Sequence, residues 1–179
     1  IAGNNATVTG DNMTWSAAYT MLGNNTEGSV SLNIEFKDLA GNPGSDIDNT
    51  TNGSAVLFDK TPPELGGVTE FTTPSADNRT SYTFNSDEAG TINYGGSCSS
   101  SDNSDNSTSG GDKTITFDAL VDGTHSNCII TVTDNASNTS DNLSVSSFTI
   151  GRLTPALYEV TRVPTPDNVT TPSYKFFST

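Results

Sequence analysis

Carboxylates are the side chains of this sequence best placed to do chemistry, and Asp59 is the most suggestive of them. It stands in Phe58-Asp59-Lys60-Thr61-Pro62-Pro63, just ahead of a proline pair that reads as a boundary. Asp38 opens the preceding turn, Asp38-Leu39-Ala40-Gly41-Asn42. Hard oxygen ligands gathered from two units would bind Ca²⁺ and lock the angle between them, so Asp38 and Asp59 are the candidate calcium ligands. A second boundary, Ile150-Gly151-Arg152-Leu153-Thr154-Pro155, has Gly151 in the place of Asp59 and an arginine beside it. Any such site is expected to be lost there. The run Asp102, Ser104, Asn106 and Asp112 has the spacing of loop ligands, but Ser107 stands where a calcium loop requires glycine. That run reads as solvated loop charge.

Two cysteines, Cys98 and Cys128, are expected to pair in a disulfide, because the composition is that of a secreted chain. Closing a loop of about thirty residues is worth roughly 3–4 kcal/mol in the chain-entropy description. Asn-x-Ser/Thr triplets begin at Asn5, Asn12, Asn24, Asn49, Asn52, Asn78, Asn106, Asn135, Asn138, Asn142 and Asn168. That is eleven of nineteen asparagines, about twice what random placement gives. A heavily N-glycosylated surface is the expected meaning of the excess, and the preference of Asn, Ser and Thr for turns is the other reading. Catalysis has little to work with. The one histidine, His125, sits beside a turn and reads as a solvated loop residue. There is no histidine-rich metal cluster, phosphate-binding glycine loop or nucleophile elbow. Paired acids could serve a glycosidase, but here they lie in turns with no sign of a cleft. The chain reads as non-enzymatic.

The elements that would hold these residues repeat. Thr61-Pro62-Pro63-Glu64-Leu65, followed by Ser81-Tyr82-Thr83-Phe84, returns ninety-two residues later as Thr154-Pro155-Ala156-Leu157, followed by Ser173-Tyr174-Lys175-Phe176. A fixed period of this length marks an array of like modules. It predicts the later part of one unit over 1–60, a complete unit over 61–151 and the opening strands of a third over 152–179. Val30, Leu32, Ile34 and Phe36 alternate with polar residues, as Cys128, Ile130 and Val132 do ninety-six residues on. Each run ends in an Asp-to-Asn turn. Strands are expected over 64–71, 80–85, 89–95, 113–118, 126–133 and 143–150, with turns at 87–90 and at Gly110-Gly111. Trp15, Ala17 and Tyr19 alternate and are expected to supply the core of the first unit; a carbohydrate-stacking role for Trp15 is the other reading. Six or seven short strands in about ninety residues, with no helical period, favour an all-β chain of tandem immunoglobulin-like sandwiches, one complete and two partial.

Composition narrows the partners. The net charge of −14 disfavours nucleic acid and anionic membrane, and suits a surface that collects cations. No run of eighteen apolar residues predicts a membrane span. The sequence has no starting Met and no leader pattern, so it reads as a processed product or an excerpt of a longer chain.

At this point the residues carry a resemblance. Asp38-Leu39-Ala40-Gly41-Asn42, with Val56-Leu57-Phe58-Asp59-Lys60-Thr61-Pro62-Pro63, resembles the end of one bacterial Ig-like tandem repeat and the start of its neighbour, as found in large extracellular surface adhesins. Ile1-Ala2-Gly3 through Tyr19-Thr20-Met21 is similar to the middle of such a module. Gly90-Thr91-Ile92-Asn93-Tyr94 with Asn127-Cys128-Ile129-Ile130 resembles a cysteine-bearing subtype. The resemblance implies an extracellular rod with linker-bound calcium, completed at its half-modules by neighbouring copies or by continuation of the same chain. A carbohydrate-binding or adhesive accessory module of a secreted protein is the alternative.

Overall fold

The computed structural model describes residues 3–11, 13–152, 154–161, 168, 170–171 and 173–178. These form β-structure with no α-helix and a single 3₁₀ turn at Asn103–Asp105. The strands, in chain order, are β1 (Thr7–Asp11), β2 (Thr14–Ala18), β3 (Gly28–Ser29) and β4 (Leu57–Phe58). Then come β5 (Leu65–Gly67), β6 (Ser81–Gly95), β7 (Ser107–Thr116), β8 (Gly123–His125), β9 (Ile129–Asp134), β10 (Leu143–Ser144) and β11 (Phe148–Ile150). The last pair is β12 (Leu157–Thr161) and β13 (Lys175–Ser178). No helix among the described residues is long and apolar enough to cross a membrane.

The alternating pattern of β6, β7 and β9 explains the centre of the fold. Their inward residues, including Phe84, Ile92, Ile115, Ile130 and Val132, leave water almost completely. β6 is the hub of a five-stranded antiparallel sheet in the order β10–β9–β6–β5, with β7 also paired to β6. β8 and β11 form a second, two-stranded sheet that contributes Phe148 and Ile150 to the same core. Phe71 stacks on Phe148 at 4.2 Å between ring centroids, and Phe117 lies parallel to Phe148 at 6.3 Å. Cys98, just after β6, is joined by a disulfide to Cys128, just before β9, across a sequence separation of 30. Every member of the buried apolar cluster lies between Tyr82 and Ile150.

Four expectations are corrected. Residues 87–90 do not turn: 81–95 is one strand with a bulge between Ser86 and Ala89. β7 runs beside both halves and holds them in line, pairing Ser81–Ser86 with Gly111–Thr116 and Ala89–Thr91 with Ser107–Ser109. The buried Ser86 hydroxyl donates to the Glu88 carbonyl at 2.7 Å and closes the bulge. Gly110 and Gly111, at φ +85° and +81°, face this bulge inside β7 rather than ending a hairpin. His125 is buried, not solvated. Its ring stacks on Phe148 at 5.4 Å, Nε2 donates to the Val121 carbonyl at 3.0 Å, and Nδ1 lies 3.1 Å from Ser97 Oγ, so both ring nitrogens are partnered. Trp15 supplies no core. It is 65% exposed, because β1 and β2 pair only with each other among the described residues and no second sheet covers them.

The flanking segments nevertheless repeat several pairings of the central one. Ile34 bridges Ile47 and Lys37 bridges Pro43, as Ile130 pairs Leu143 and Thr133 bridges Thr139 ninety-six residues later. Gly44 N–H donates to Phe36 O at 2.9 Å, and Ser140 N–H to Val132 O at 2.9 Å. Gly41 and Ser137 hold the same left-handed position, at φ +88° and +75°. β12 pairs β13 with Leu157 opposite Ser178 and Glu159 opposite Phe176, the register of Leu65–Ser86 and Gly67–Phe84 ninety-two residues earlier.

Candidate metal centre at the linker

The linker 59–61 is tied at both ends. Towards the first segment, Lys60 N–H and the Thr61 hydroxyl donate to Glu27 Oε1 at 2.9 Å and 2.8 Å, and Lys60 Nζ donates to the Gly23 and Asn25 carbonyls. Towards the central segment, Asn138 Nδ2 donates to the Asp59 carbonyl at 3.4 Å. This anchoring delivers the Asp59 carboxylate to two acids of the central segment, Glu88 and Asp134. One carboxylate oxygen from each of the three lies within 4.8 Å of the others. Each partner owes its place to a local device: Glu88 to the β6 bulge, and Asp134 to the end of β9, where the turn to Asn138 begins.

The two acids differ electrostatically. Burial is the largest influence on Asp134 and opposes its ionisation, but it is outweighed by hydrogen bonds. The Asn138 side chain and backbone N–H donate to the two carboxylate oxygens at 2.9 Å each, and the carboxyl is held below its ordinary range. Glu88 is pushed the other way, first by burial and then by the negative charges of Asp59, Asp87, Asp134 and Glu27. An acid raised by like charges is one that a cation would relieve. Oxygen ligands of Ca²⁺ at about 2.4 Å from the ion are themselves separated by up to about 4.8 Å, so the three carboxylates fit that ion by type and spacing. A bound Ca²⁺ would supply charge neutralisation and a cross-link between linker and sheet, not a reaction.

Asp59 is therefore placed where the sequence expects a ligand, but Asp38 does not join it. The Asp38 carboxylate accepts from Asn42 N–H and Nδ2 at 2.8 Å each, and these bonds lower its pKa. Asp38 is the ninety-six-residue counterpart of Asp134, with the same turn and the same two bonds, so it occupies the equivalent corner of its own segment. Glu88 and Asp134 were missed by the sequence reading. The repeat itself carried the signal for Asp134, since whatever role Asp38 has in one unit falls to Asp134 in the next. Glu88 had none, because only the bulge turns it towards the linker. Asp102 and Asp112 do not converge: Asp102 caps the 3₁₀ turn through Ser104, and Asp112 accepts from Asn85 Nδ2 at 2.8 Å. At the second boundary Arg152 pairs with Asp122 at 2.7 Å, leaving no acid in the place of Asp59.

Among the sequons, Asn5, Asn24, Asn49, Asn52, Asn106, Asn135, Asn142 and Asn168 are exposed. Asn12 lies outside the described residues. Asn78 is half-buried, with Nδ2 on the Leu120 carbonyl at 3.4 Å. Asn138 spends its amide on Asp134 and Asp59, so a glycan there would break the linker contact. Comparison of the chain with protein-family models, with curated proteins and with solved structures finds no match.

Proposed function

We propose that this chain is a non-catalytic extracellular segment of a tandem array, built of Ig-like β-sandwich modules packed head to tail into a rod at the cell surface. In this reading, 1–60 is the later part of one module, 61–151 a complete module and 152–179 the opening of a third. The observation that carries it is the repeated bonding pattern: residues 34–47 and 130–143 make the same bridges, and 157–178 keeps the register of 65–86. Like units in series, each contacting its neighbours, give a quasi-one-dimensional body whose work is to span distance. The linker acids hold Ca²⁺, and the ion sets the angle between modules. Exposed sequons carry glycans, and the acidic surface keeps neighbouring rods apart. The buried disulfide suits an oxidising compartment.

The test is display. An antibody raised against 61–151 and applied to intact cells of the source is expected to stain their surface. Staining that requires permeabilised cells overturns the surface assignment. Retention of the chain on a polysaccharide column, lost on Trp15→Ala, would instead favour the accessory carbohydrate-binding reading.

A further inference from the structure

The chain passes through two linkers, and each leaves its strand in the same way. Gly28 pairs Phe58 where β3 meets β4, and Gly123 pairs Ile150 where β8 meets β11. Both glycines are left-handed, at φ +112° and +136°, and a Cβ at either would meet nothing within 4 Å. Backbone geometry, not space, therefore requires glycine at both. An acid precedes each glycine, Glu27 and Asp122, and a cation stands two residues past each partner, Lys60 after Phe58 and Arg152 after Ile150. In both places the acid accepts the backbone N–H of that cation. Lys60 N–H donates to Glu27 Oε1 at 2.9 Å, and Arg152 N–H to Asp122 Oδ2 at 3.4 Å. A second bond completes each grip, from the Thr61 hydroxyl to Glu27 Oε1 at 2.8 Å and from Arg152 Nε to Asp122 Oδ1 at 2.7 Å. These bonds hold both carboxyls below their ordinary range, led by the Thr61 hydroxyl at Glu27 and by the Arg152 side chain at Asp122.

We propose that Glu27 and Asp122 are positioning residues, each clasping the linker that leaves its segment without help from a metal, and that the second joint is held by this clasp alone. The proposal rests on the reading of the chain as an array of like modules, in which the exit direction of a linker sets the angle of the module that follows. The acidic triad cannot do this work twice, because Gly151 stands in the place of Asp59. A clasp that recurs where the triad does not is the part common to both joints. The two joints then answer to different ions. At the first, the grip on Glu27 comes from a backbone and a hydroxyl donor, and the Lys60 ammonium is spent on the Gly23 and Asn25 carbonyls. At the second, the half-exposed Arg152–Asp122 ion pair carries the shorter bond, and dissolved salt screens such a pair.

Amide hydrogen exchange followed by NMR on the 179-residue chain in chelator tests this, with the variants Glu27→Ala, Asp122→Ala and Asp122→Asn. In the wild type the Lys60 and Arg152 amides should both be protected without metal. Glu27→Ala should speed exchange at Lys60 by about tenfold, the scale of a hydrogen bond to a charged group, and leave Arg152 unchanged. Asp122→Ala should speed Arg152 by about threefold, less because its bond is longer, and leave Lys60 unchanged. The amides of β6 and β9 should keep their wild-type rates throughout, since neither acid belongs to the buried cluster. Asp122→Asn keeps an acceptor and loses the ion pair, so Arg152 should stay protected. Raising sodium chloride to about 1 M should speed Arg152 in the wild type but not in Asp122→Asn, a response that loss of structure alone would not give. A wild-type linker amide that exchanges at the unprotected rate, an alanine variant that does not speed its own linker, or Ca²⁺ that slows Arg152 overturns the proposal. Surface staining of cells together with unprotected linker amides would sink the clasp and leave the array reading standing; clasps that respond as expected without surface display would do the reverse.

Discussion

Glu88 and Asp134 face the same linker carboxylate with opposite protonation tendencies, and linkage turns that difference into a measurable pH dependence. Asp134 has a lowered folded-state pKa, so its contribution to stability is complete above the ordinary aspartate value and is lost as pH falls through the folded one. Glu88 has a raised folded-state pKa. The fold therefore favours its protonated form. Its contribution is most favourable below the ordinary glutamate value and is lost as pH rises through the folded one. At neutral pH, without metal, Glu88 is a cost to the fold. Glu88→Gln removes the charge and keeps the shape, and the Glu88 carbonyl that receives Ser86 Oγ is backbone and untouched. Thermal unfolding in chelator at pH 7 should therefore shift upward in Glu88→Gln, with the gap to wild type closing as pH falls below the ordinary glutamate value. Millimolar Ca²⁺ should raise the wild-type midpoint and raise that of Glu88→Gln less. A wild-type midpoint that ignores Ca²⁺ would remove the ion from the linker.

At the scale of elements, the Asp-to-Asn turn after β9 shows how the repeat was legible and where legibility stopped. Asp38 to Asn42 and Asp134 to Asn138 share their termini, and both close with the Asp carboxylate accepting from Asn N–H and Nδ2. The first copy has Gly41 at the left-handed position and the second has Ser137 there. A non-glycine residue in that region costs about 1–2 kcal/mol, and glycine gives back roughly 0.5–1 kcal/mol in unfolded-state entropy. Ser137→Gly should thus stabilise the central segment by about 0.5–1 kcal/mol in urea unfolding. A loss of stability would mean that the Ser137 side chain does more than its geometry indicates. Periodicity read this turn and the alternation of β6 and β9, because each is set by local sequence; the Cys98–Cys128 pair was expected from composition. It misread Asp87–Gly90 as a turn because a bulge and a hairpin use the same residues, and only the long partner strand β7 decides between them. His125 was misread for a related reason. Its burial depends on Ser97, Val121 and Phe148, none of which a local reading connects to it.

At the scale of the whole molecule, burial is concentrated in one stretch while strand pairing is spread over all of it. The apolar cluster runs from Tyr82 to Ile150, and the disulfide closes its middle. Apolar burial is the main force holding local structure against opening, so segments that pair without burying should open far more often than the core. β1–β2, the Ile34–Ile47 bridge and β12–β13 all pair in this way, with Trp15, Phe36 and Phe176 left in water. Isolated two-stranded hairpins are marginal in water for the same reason. Limited proteolysis of dilute protein should therefore cut first within 3–58 and 154–178, and leave a resistant fragment running from near Thr61 to near Gly151 with its disulfide intact. Cleavage inside 82–150 at the same rate as in the flanks would mean that the central core does not stand alone. Flanks as resistant as the core in dilute solution would mean that they are covered without a partner, which the exposure of Phe36 and Phe176 argues against.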